Sequence, residues 1–213
     1  MGKKHLNLIP FFEGYVRNYR RFNLSSDHNL TMHTNREIEY FANLGELLGF
    51  ESFVEDGRKD QVLGRKRPMD LSWWKYDQRE SVEHYDYLAL HLERESLSTK
   101  KIDTIDKLFS QTEKEFSPYN VIGIQFISSP LEIEELNELI VERNRDQMSH
   151  VLMVYRYWDS ELNVQRVDAY FFTQTGLLEI RRAFCPKDNM GYSFMCFEEE
   201  YSRYMLKEKE PVH

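Results

Sequence analysis

The stretch Tyr87-Leu88-Ala89-Leu90-His91-Leu92-Glu93-Arg94-Glu95-Ser96 alternates between two kinds of side chain. Its three leucines stand at every second position, which predicts a β-strand with one buried apolar face. The opposite face carries His91, Glu93 and Glu95. Carboxylates two residues apart on one strand face lie about 7 Å apart at their Cα atoms, from a rise of about 3.3 Å per residue. At that separation both side chains can converge on one hard cation.

A second strand is predicted over Arg67-Pro68-Met69-Asp70-Leu71-Ser72-Trp73-Trp74. If the two strands pair, Asp70 joins Glu93 and Glu95 in an oxygen-rich cluster. Clusters of carboxylate oxygens are the sites that Mg²⁺ and Mn²⁺ prefer. We therefore expect a Mg²⁺ or Mn²⁺ site where these strands meet.

This layout resembles the PD-(D/E)xK nuclease superfamily, the restriction-endonuclease-like fold, over roughly Thr34 to Ser129. That family has a helix carrying an acid, a strand ending in Pro-Asp, a next strand carrying acid-x-Lys, and then a helix. Pro68-Met69-Asp70 corresponds to the first strand motif, and Glu93-Arg94-Glu95 corresponds to the second.

The chain departs from the family pattern in two places. Met69 separates the proline from the aspartate, and Glu95 stands where the family has a lysine. A shifted match of the second motif to His91-Leu92-Glu93 is also open. In that match His91 would stand where the family has its first acid. An acid in place of the lysine makes the site more negative, so we expect a strict requirement for metal.

The resemblance implies a metal-dependent hydrolase that cleaves phosphodiester bonds in nucleic acid. Asp70 and Glu93 would bind the metal directly. Glu95 would bind a second ion or serve as the general base for the attacking water. Glu37, on the preceding helix, would act through a water molecule.

Glu37 is preferred over Glu39 because of the helix face on which it lies. A helix is predicted from Thr34 or Asn35, as the cap, to about Leu48. Residues 37, 41, 44 and 48 share the apolar stripe of this helix, whereas Glu39 points to solvent. The alternative is that Glu37 only serves the helix dipole.

Two groups of basic residues flank the acidic cluster in the sequence. Arg65, Lys66 and Arg67 come just before Asp70, and Lys100 and Lys101 open the helix after the second strand. Both groups are candidate contacts for substrate phosphates. The alternatives are a solvated basic loop and ion pairs with the acidic strand end.

The order of elements predicts an α/β protein with a mixed central β-sheet flanked by helices. Strands and helices alternate from residue 87 onward, and a hairpin of strands His150–Trp158 and Gln165–Thr173 extends the sheet. We expect a restriction-endonuclease-like core with an added C-terminal β-hairpin region in a single domain. Its parts are an N-terminal helix and loop (1–33), the core (34–145), C-terminal strands (146–200) and a polar tail (201–213).

Composition narrows the class of protein. A chain of 213 residues with 41% hydrophobic residues is long enough for one sizeable core. The net charge of −8 argues against a nucleic-acid coat protein, but it is compatible with a nuclease whose site is acidic. No apolar run is long enough to cross a membrane, and the N-terminus does not have the pattern of a signal peptide. We expect a cytoplasmic protein with no membrane partner and two unpaired cysteines.

A function of a different class stays open. A nuclease-like or other α/β domain without catalysis could serve as a protein-interaction or homodimerisation module. The aromatic hairpin over residues 155–172 separates the two hypotheses. An exposed, self-pairing hairpin favours assembly, whereas a covered hairpin favours the acidic cleft as the functional feature.

Overall fold

The described part of the chain forms one mixed β-sheet of eight strands, which lies at the centre of the fold. The computed structural model describes residues 4–56, 68–76, 85–109 and 117–201. The strands lie in the sheet in their chain order. They are β1 (Glu51–Asp56), β2 (Met69–Tyr76), β3 (Tyr85–Glu95), β4 (Asn120–Phe126), β5 (His150–Asp159), β6 (Val164–Thr173), β7 (Gly176–Cys185) and β8 (Cys196–Phe197). With helices on both sides, this confirms the predicted α/β class and its mixed central sheet.

The direction of the strands changes across the sheet. β1, β2 and β3 form an antiparallel meander, and β5 to β8 are also antiparallel to one another. Between them, β3, β4 and β5 run parallel. Parallel neighbours need crossover connections, and helices supply them here. The carboxyl ends of β3, β4 and β5 therefore meet at one edge, where α/β sheets commonly bind ligands.

In the described ranges, four α-helices cover the two faces of the sheet. They are α1 (Ile9–Asn18), α2 (Leu30–Leu47), α3 (Lys101–Leu108) and α4 (Ile133–Arg143), with short 3₁₀ turns at Tyr19–Phe22, Ser98–Lys100 and Pro130–Glu132. Apolar residues of α1 and α2 share one core with Leu90 and Leu92 of β3. Those of α3 and α4 share a second core with Val121 of β4. Successive residues of β4 thus face different helix layers, because Val121 belongs to the second core and Ile122 to the first.

The second helix begins earlier than its apolar periodicity predicts. Its N-cap is Asn29, whose side chain accepts a hydrogen bond from the Met32 backbone N–H at 2.8 Å. The first turn is exposed, Leu30 by 57%, so it leaves no apolar periodicity in the sequence. Near the predicted end, Gly49 has a φ of +81°, the left-handed conformation that commonly follows a helix.

The predicted hairpin of β5 and β6 is confirmed, and it lies inside the sheet. β4 pairs with β5 on one side, and β7 pairs with β6 on the other. The last of the predicted C-terminal strands is short. Cys196 and Phe197 form β8, while Tyr192 and Ser193 make isolated bridges. In the part of the chain that is described, no helix is long and apolar enough to cross a membrane.

Candidate functional site

The structure places Asp70 and Glu93 side by side on neighbouring strands. Leu71 of β2 pairs with Leu92 of β3 in antiparallel register, which sets Asp70 beside Glu93. Asp70 Oδ2 accepts a hydrogen bond from the Arg94 backbone N–H at 2.7 Å. The predicted strand pairing thus brings two of the three predicted acids together, on the face covered by α3.

Two further side chains hold the Glu93 carboxylate. His91 Nε2 lies 2.7 Å from Glu93 Oε1, and Lys107 Nζ lies 2.7 Å from Glu93 Oε2. His91 is fully buried and Glu93 is 2% exposed. His91 reaches Glu93 along the same strand face, whereas Lys107 reaches it from α3.

Asp70 and Glu93 differ in how readily they ionise. Burial, together with the negative charge of Glu93, raises the pKa of Asp70 to about 6. Burial also disfavours ionisation of Glu93, but the hydrogen bonds and charges of His91 and Lys107 outweigh it and lower the Glu93 pKa. Two adjacent acids with oppositely shifted pKa values are a recurrent feature of catalytic sites.

A second polar cluster supports the strands on the same face. Ser72 lies directly opposite His91 across β2 and β3. The Ser72 hydroxyl donates to Asp56, which is 3% exposed, and Asp56 also accepts from the Trp74 indole N–H at 2.8 Å. Buried, hydrogen-bonded side chains of this kind fix the positions of the strands that carry the acids.

Glu95 lies next to the pair, but it makes other contacts. It shares the strand face of Glu93. Glu95 Oε1 accepts from the Leu97 backbone N–H at 3.0 Å, and Glu95 Oε2 lies 3.9 Å from Lys100 Nζ. Lys101 pairs instead with Glu132. The two lysines thus stand at the rim of the acidic face, where each has an ion pair.

Glu37 lies on the other face of the sheet. It is fully buried and binds the side chains of Arg94 and Arg156, with Tyr19 as a further hydrogen-bond donor. Arg94 follows Glu93 on β3, so the two side chains point to opposite faces. The structure corrects the expectation that Glu37 joins the acidic cluster. The preference for Glu37 over Glu39 as the inward-facing acid is confirmed, because Glu39 is exposed.

The Glu37 contacts form a buried ionic network. Burial opposes its ionisation, yet the charges of Arg156 and Arg94 dominate and lower the Glu37 pKa to about 2. Phe126, at the end of β4, lies 5.6 Å from the Arg94 guanidinium carbon and 5.0 Å from that of Arg156, measured to the ring centroid. Arg94 links this network to the acidic pair, because its side chain binds Glu37 and its backbone N–H binds Asp70.

Asp70 and Glu93 supply two of the oxygen ligands that a hard cation needs. Mg²⁺ is often held by one or two carboxylates and completes its octahedron with water and substrate oxygens. Asp70 and Glu93 offer two carboxylates whose mutual repulsion a cation would relieve. Among the described residues, no group of three or more His, Cys, Asp or Glu side chains is arranged to hold a metal. Arg65, Lys66 and Arg67 lie outside the described residues.

Two contributors to the site were not predicted as such from the sequence. Lys107 is one of them, since its contact with Glu93 joins residues from different elements. Its position three residues after the buried Thr104 and one before the buried Leu108 was the available signal that it flanks the core. His91 was placed on the acidic face, but its contact with Glu93 was not predicted.

Comparisons with known proteins give little further information. No protein-family model matches the sequence, and no curated protein matches it. Among solved structures, the central domain of yeast acetyl-CoA carboxylase is similar with a TM-score of 0.40 and 11% sequence identity. The similarity covers 73% of this chain and 25% of that chain. At that TM-score it supports no conclusion about activity.

Proposed function

We propose that this protein is a metal-dependent phosphodiester hydrolase that acts on nucleic acid, with a divergent restriction-endonuclease-like core. One observation carries the proposal. Asp70 and Glu93 lie side by side on one sheet face, at the edge where the parallel strands end. Buried acids placed together are unfavourable unless a cation or a proton compensates them. Such a cluster is therefore a candidate catalytic site.

Asp70 and Glu93 would hold Mg²⁺ or Mn²⁺, and His91 would keep the Glu93 carboxylate in place from within the sheet. The bound ion supplies charge neutralisation at the phosphate and a more acidic water. In the reaction, a water oxygen forms a bond to phosphorus and the bond from phosphorus to the leaving sugar oxygen breaks. Glu95, at the rim, would accept the proton that the water loses. The leaving oxygen would take a proton from solvent.

The burial of the aromatic hairpin supports this reading over an interaction module that pairs through the same hairpin. Both β5 and β6 already have a neighbour on each side. Tyr155, Phe171 and Phe172 are each at most 3% exposed. This hairpin has no free edge for a partner, which leaves the acidic face as the more distinctive feature.

A different surface favours homodimerisation as a second candidate function. Among the described residues, β8 pairs with β7 only at Ala183 and Phe184. Leu177, Leu178 and Ile180, earlier on β7, are 48%, 64% and 37% exposed. A strand edge with exposed apolar residues is a site at which two chains can pair. Light scattering of the protein and of Leu178→Lys would test this candidate, because a dimer formed through β7 should dissociate in the variant.

The nuclease proposal is tested by cleavage assays on plasmid DNA, single-stranded DNA and RNA with Mg²⁺ or Mn²⁺. Wild type should cut at least one substrate, and EDTA should stop it. Asp70→Ala should lose activity, whereas Glu135→Ala, an exposed acid on α4, should retain it. If Asp70→Ala cuts as fast as wild type, or if wild type cuts none of the three substrates, the proposal is wrong.

A further inference from the structure

A groove open to solvent lies between α4 and the strands β6 and β7. Its volume is about 910 Å³. Tyr170 and Phe172 of β6 and Leu177 of β7 form its apolar floor, and residues of α4 form its wall. Leu177 is 48% exposed, so part of this floor is in contact with solvent. We call this feature the α4–β7 groove.

The helix α4 has two distinct stripes of side chains. Ile133, Leu136 and Ile140 are buried and belong to the core on this side of the sheet. A second stripe, whose members follow one another at helical spacing, lines the α4–β7 groove. Its members are Glu134, Asn137, Glu138, Val141, Glu142 and Arg145. Val141 is 48% exposed, so this wall combines acidic side chains with an apolar contact.

The acids of the second stripe are not fully neutralised. Arg143 Nη1 lies 3.7 Å from Glu142 Oε1, whereas Glu134 and Glu138 make no ion pair among the described residues. The three glutamates follow one another at intervals of four residues, and like charges at that spacing destabilise a helix. A cationic group bound in the groove would relieve this repulsion.

The shape of the groove suits a helix. In α/β proteins helices cover the faces of the sheet, but beside α4 the face of β6 and β7 is partly exposed. Ile180 pairs with Tyr170 across these two strands and is 37% exposed. Neighbouring strands lie about 5 Å apart, so the two strands offer a strip about 10 Å wide. An α-helix with its side chains has a diameter of about 10–12 Å.

We infer that the α4–β7 groove binds a basic amphipathic helix of a partner protein. Apolar side chains of that helix pack on Tyr170, Phe172 and Leu177, and its Lys or Arg side chains lie beside Glu134 and Glu138. Charge argues against two other occupants of the groove. The acidic wall repels the phosphates of nucleic acid, and a second copy of this chain carries a net charge of −8. The inference does not depend on the proposed hydrolase activity.

The probe is a fluorescein-labelled peptide of about 14 residues, which spans about 21 Å as a helix. It consists of leucine and lysine, with the leucines at helical spacing. A peptide of the same composition in scrambled order is the control for non-specific attraction. Fluorescence anisotropy measures the affinity of both peptides for the full chain, and raising the salt concentration should weaken binding of the first.

Matched variants locate the binding surface. The double variant Glu134→Gln, Glu138→Gln should bind the helical peptide about tenfold more weakly, and Leu177→Ser about fivefold more weakly. Glu135→Gln and Leu178→Ser should bind it as wild type does. Glu135 is exposed on α4 outside the groove, and Leu178 is 64% exposed and lines a separate cavity. Denaturant unfolding confirms that each variant is folded.

Backbone amide NMR of wild type with the helical peptide gives an independent readout. Shifts confined to α4, β6 and β7 support the inference. Shifts confined to the strands around Asp70, equal affinity in all variants, equal binding of the scrambled peptide, or no binding would each overturn it. Light scattering tests a second copy as the occupant. If wild type is a dimer that Leu177→Ser dissociates, the groove binds another copy of the chain and the inference is wrong.

Discussion

Replacing Asp70 by asparagine should stabilise the folded protein at neutral pH. The Asp70 carboxyl is largely buried beside a second carboxylate, and its pKa is raised from 3.8 to about 6. Asparagine has nearly the same shape and keeps an oxygen for the Arg94 backbone N–H. The substitution therefore removes the charge and leaves the hydrogen bond in place.

The magnitude follows from the shift in the Asp70 pKa. Each pKa unit corresponds to about 1.4 kcal/mol, so an ionised Asp70 destabilises the fold by up to about 3 kcal/mol. The folded pKa is raised, so the folded state holds the proton more tightly than the unfolded state does. Below about pH 4 the carboxyl is protonated in both states and nothing is lost. The loss develops as the pH rises from about 4 to about 6, and it is complete above that range.

Urea unfolding of wild type and Asp70→Asn at pH 4 and pH 7.5 measures this effect. At pH 7.5 the variant should unfold at a higher urea concentration, with an unchanged slope and a gain of up to about 3 kcal/mol. At pH 4 most of the difference should vanish. Asp146→Asn, an exposed acid after α4, should change stability by no more than about 0.5 kcal/mol at either pH.

A loss of stability in Asp70→Asn at pH 7.5 would refute this reasoning. The Asp70 carboxylate would then be a structural group stabilised by its neighbours. A gain that is the same at both pH values would also contradict it, since the effect would not come from ionisation. Catalytic acids commonly reduce stability in this way, and their removal commonly stabilises the fold.

Other substitutions test the remaining parts of the structure. Glu37→Gln should lower the free energy of urea unfolding by about 3–5 kcal/mol, because it leaves two buried guanidinium groups without their carboxylate. Glu39→Gln, on the exposed side of the same helix, should change it by less than about 0.5 kcal/mol. Glu93→Gln should lower the Asp70 pKa in a carboxyl NMR titration, though not to 3.8, since burial is the larger cause. Gly45→Ala should destabilise by about 1–3 kcal/mol in urea, because its Cβ would lie 2.5 Å from a buried indole nitrogen.

The sheet was largely predictable because its signals are local. The apolar sequence of β4 reflects burial on both of its faces. β3 alternates in sequence, but Leu88 to Arg94 are buried on both faces, since His91 and Glu93 lie beneath α3. Those two patterns, with the helices between the strands, give the parallel centre of the sheet. The pairing of β2 with β3, which brings Asp70 to Glu93, follows from the meander of consecutive strands.

The partners of Glu37 were not predictable in the same way. Its position on the apolar stripe of α2 shows that it faces inward, but not which side of the sheet the helix covers. Arg94 and Arg156 stand within buried strands, where the sequence alone gives no reason to expect charge. Their long side chains meet Glu37 only after α2 has packed against β1, β2 and β3.

Lys107 was missed for a related reason. Its neighbours in sequence predict only a lysine at the margin of a helix stripe, which is usually solvated. Its partner, Glu93, is on β3, and their contact depends on where α3 packs along the sheet. Contacts between side chains of different elements can be identified only from the packed structure.

The most direct test of the account is a calorimetric titration of Mg²⁺ into wild type, Asp70→Ala and the Glu135→Ala control at pH 7.5. We expect one binding event in wild type and in the control, and none in Asp70→Ala. That result would establish the acidic pair on β2 and β3 as a cation site. If wild type binds no Mg²⁺ at millimolar concentration, or if Asp70→Ala binds it equally well, the acidic pair is not a cation site.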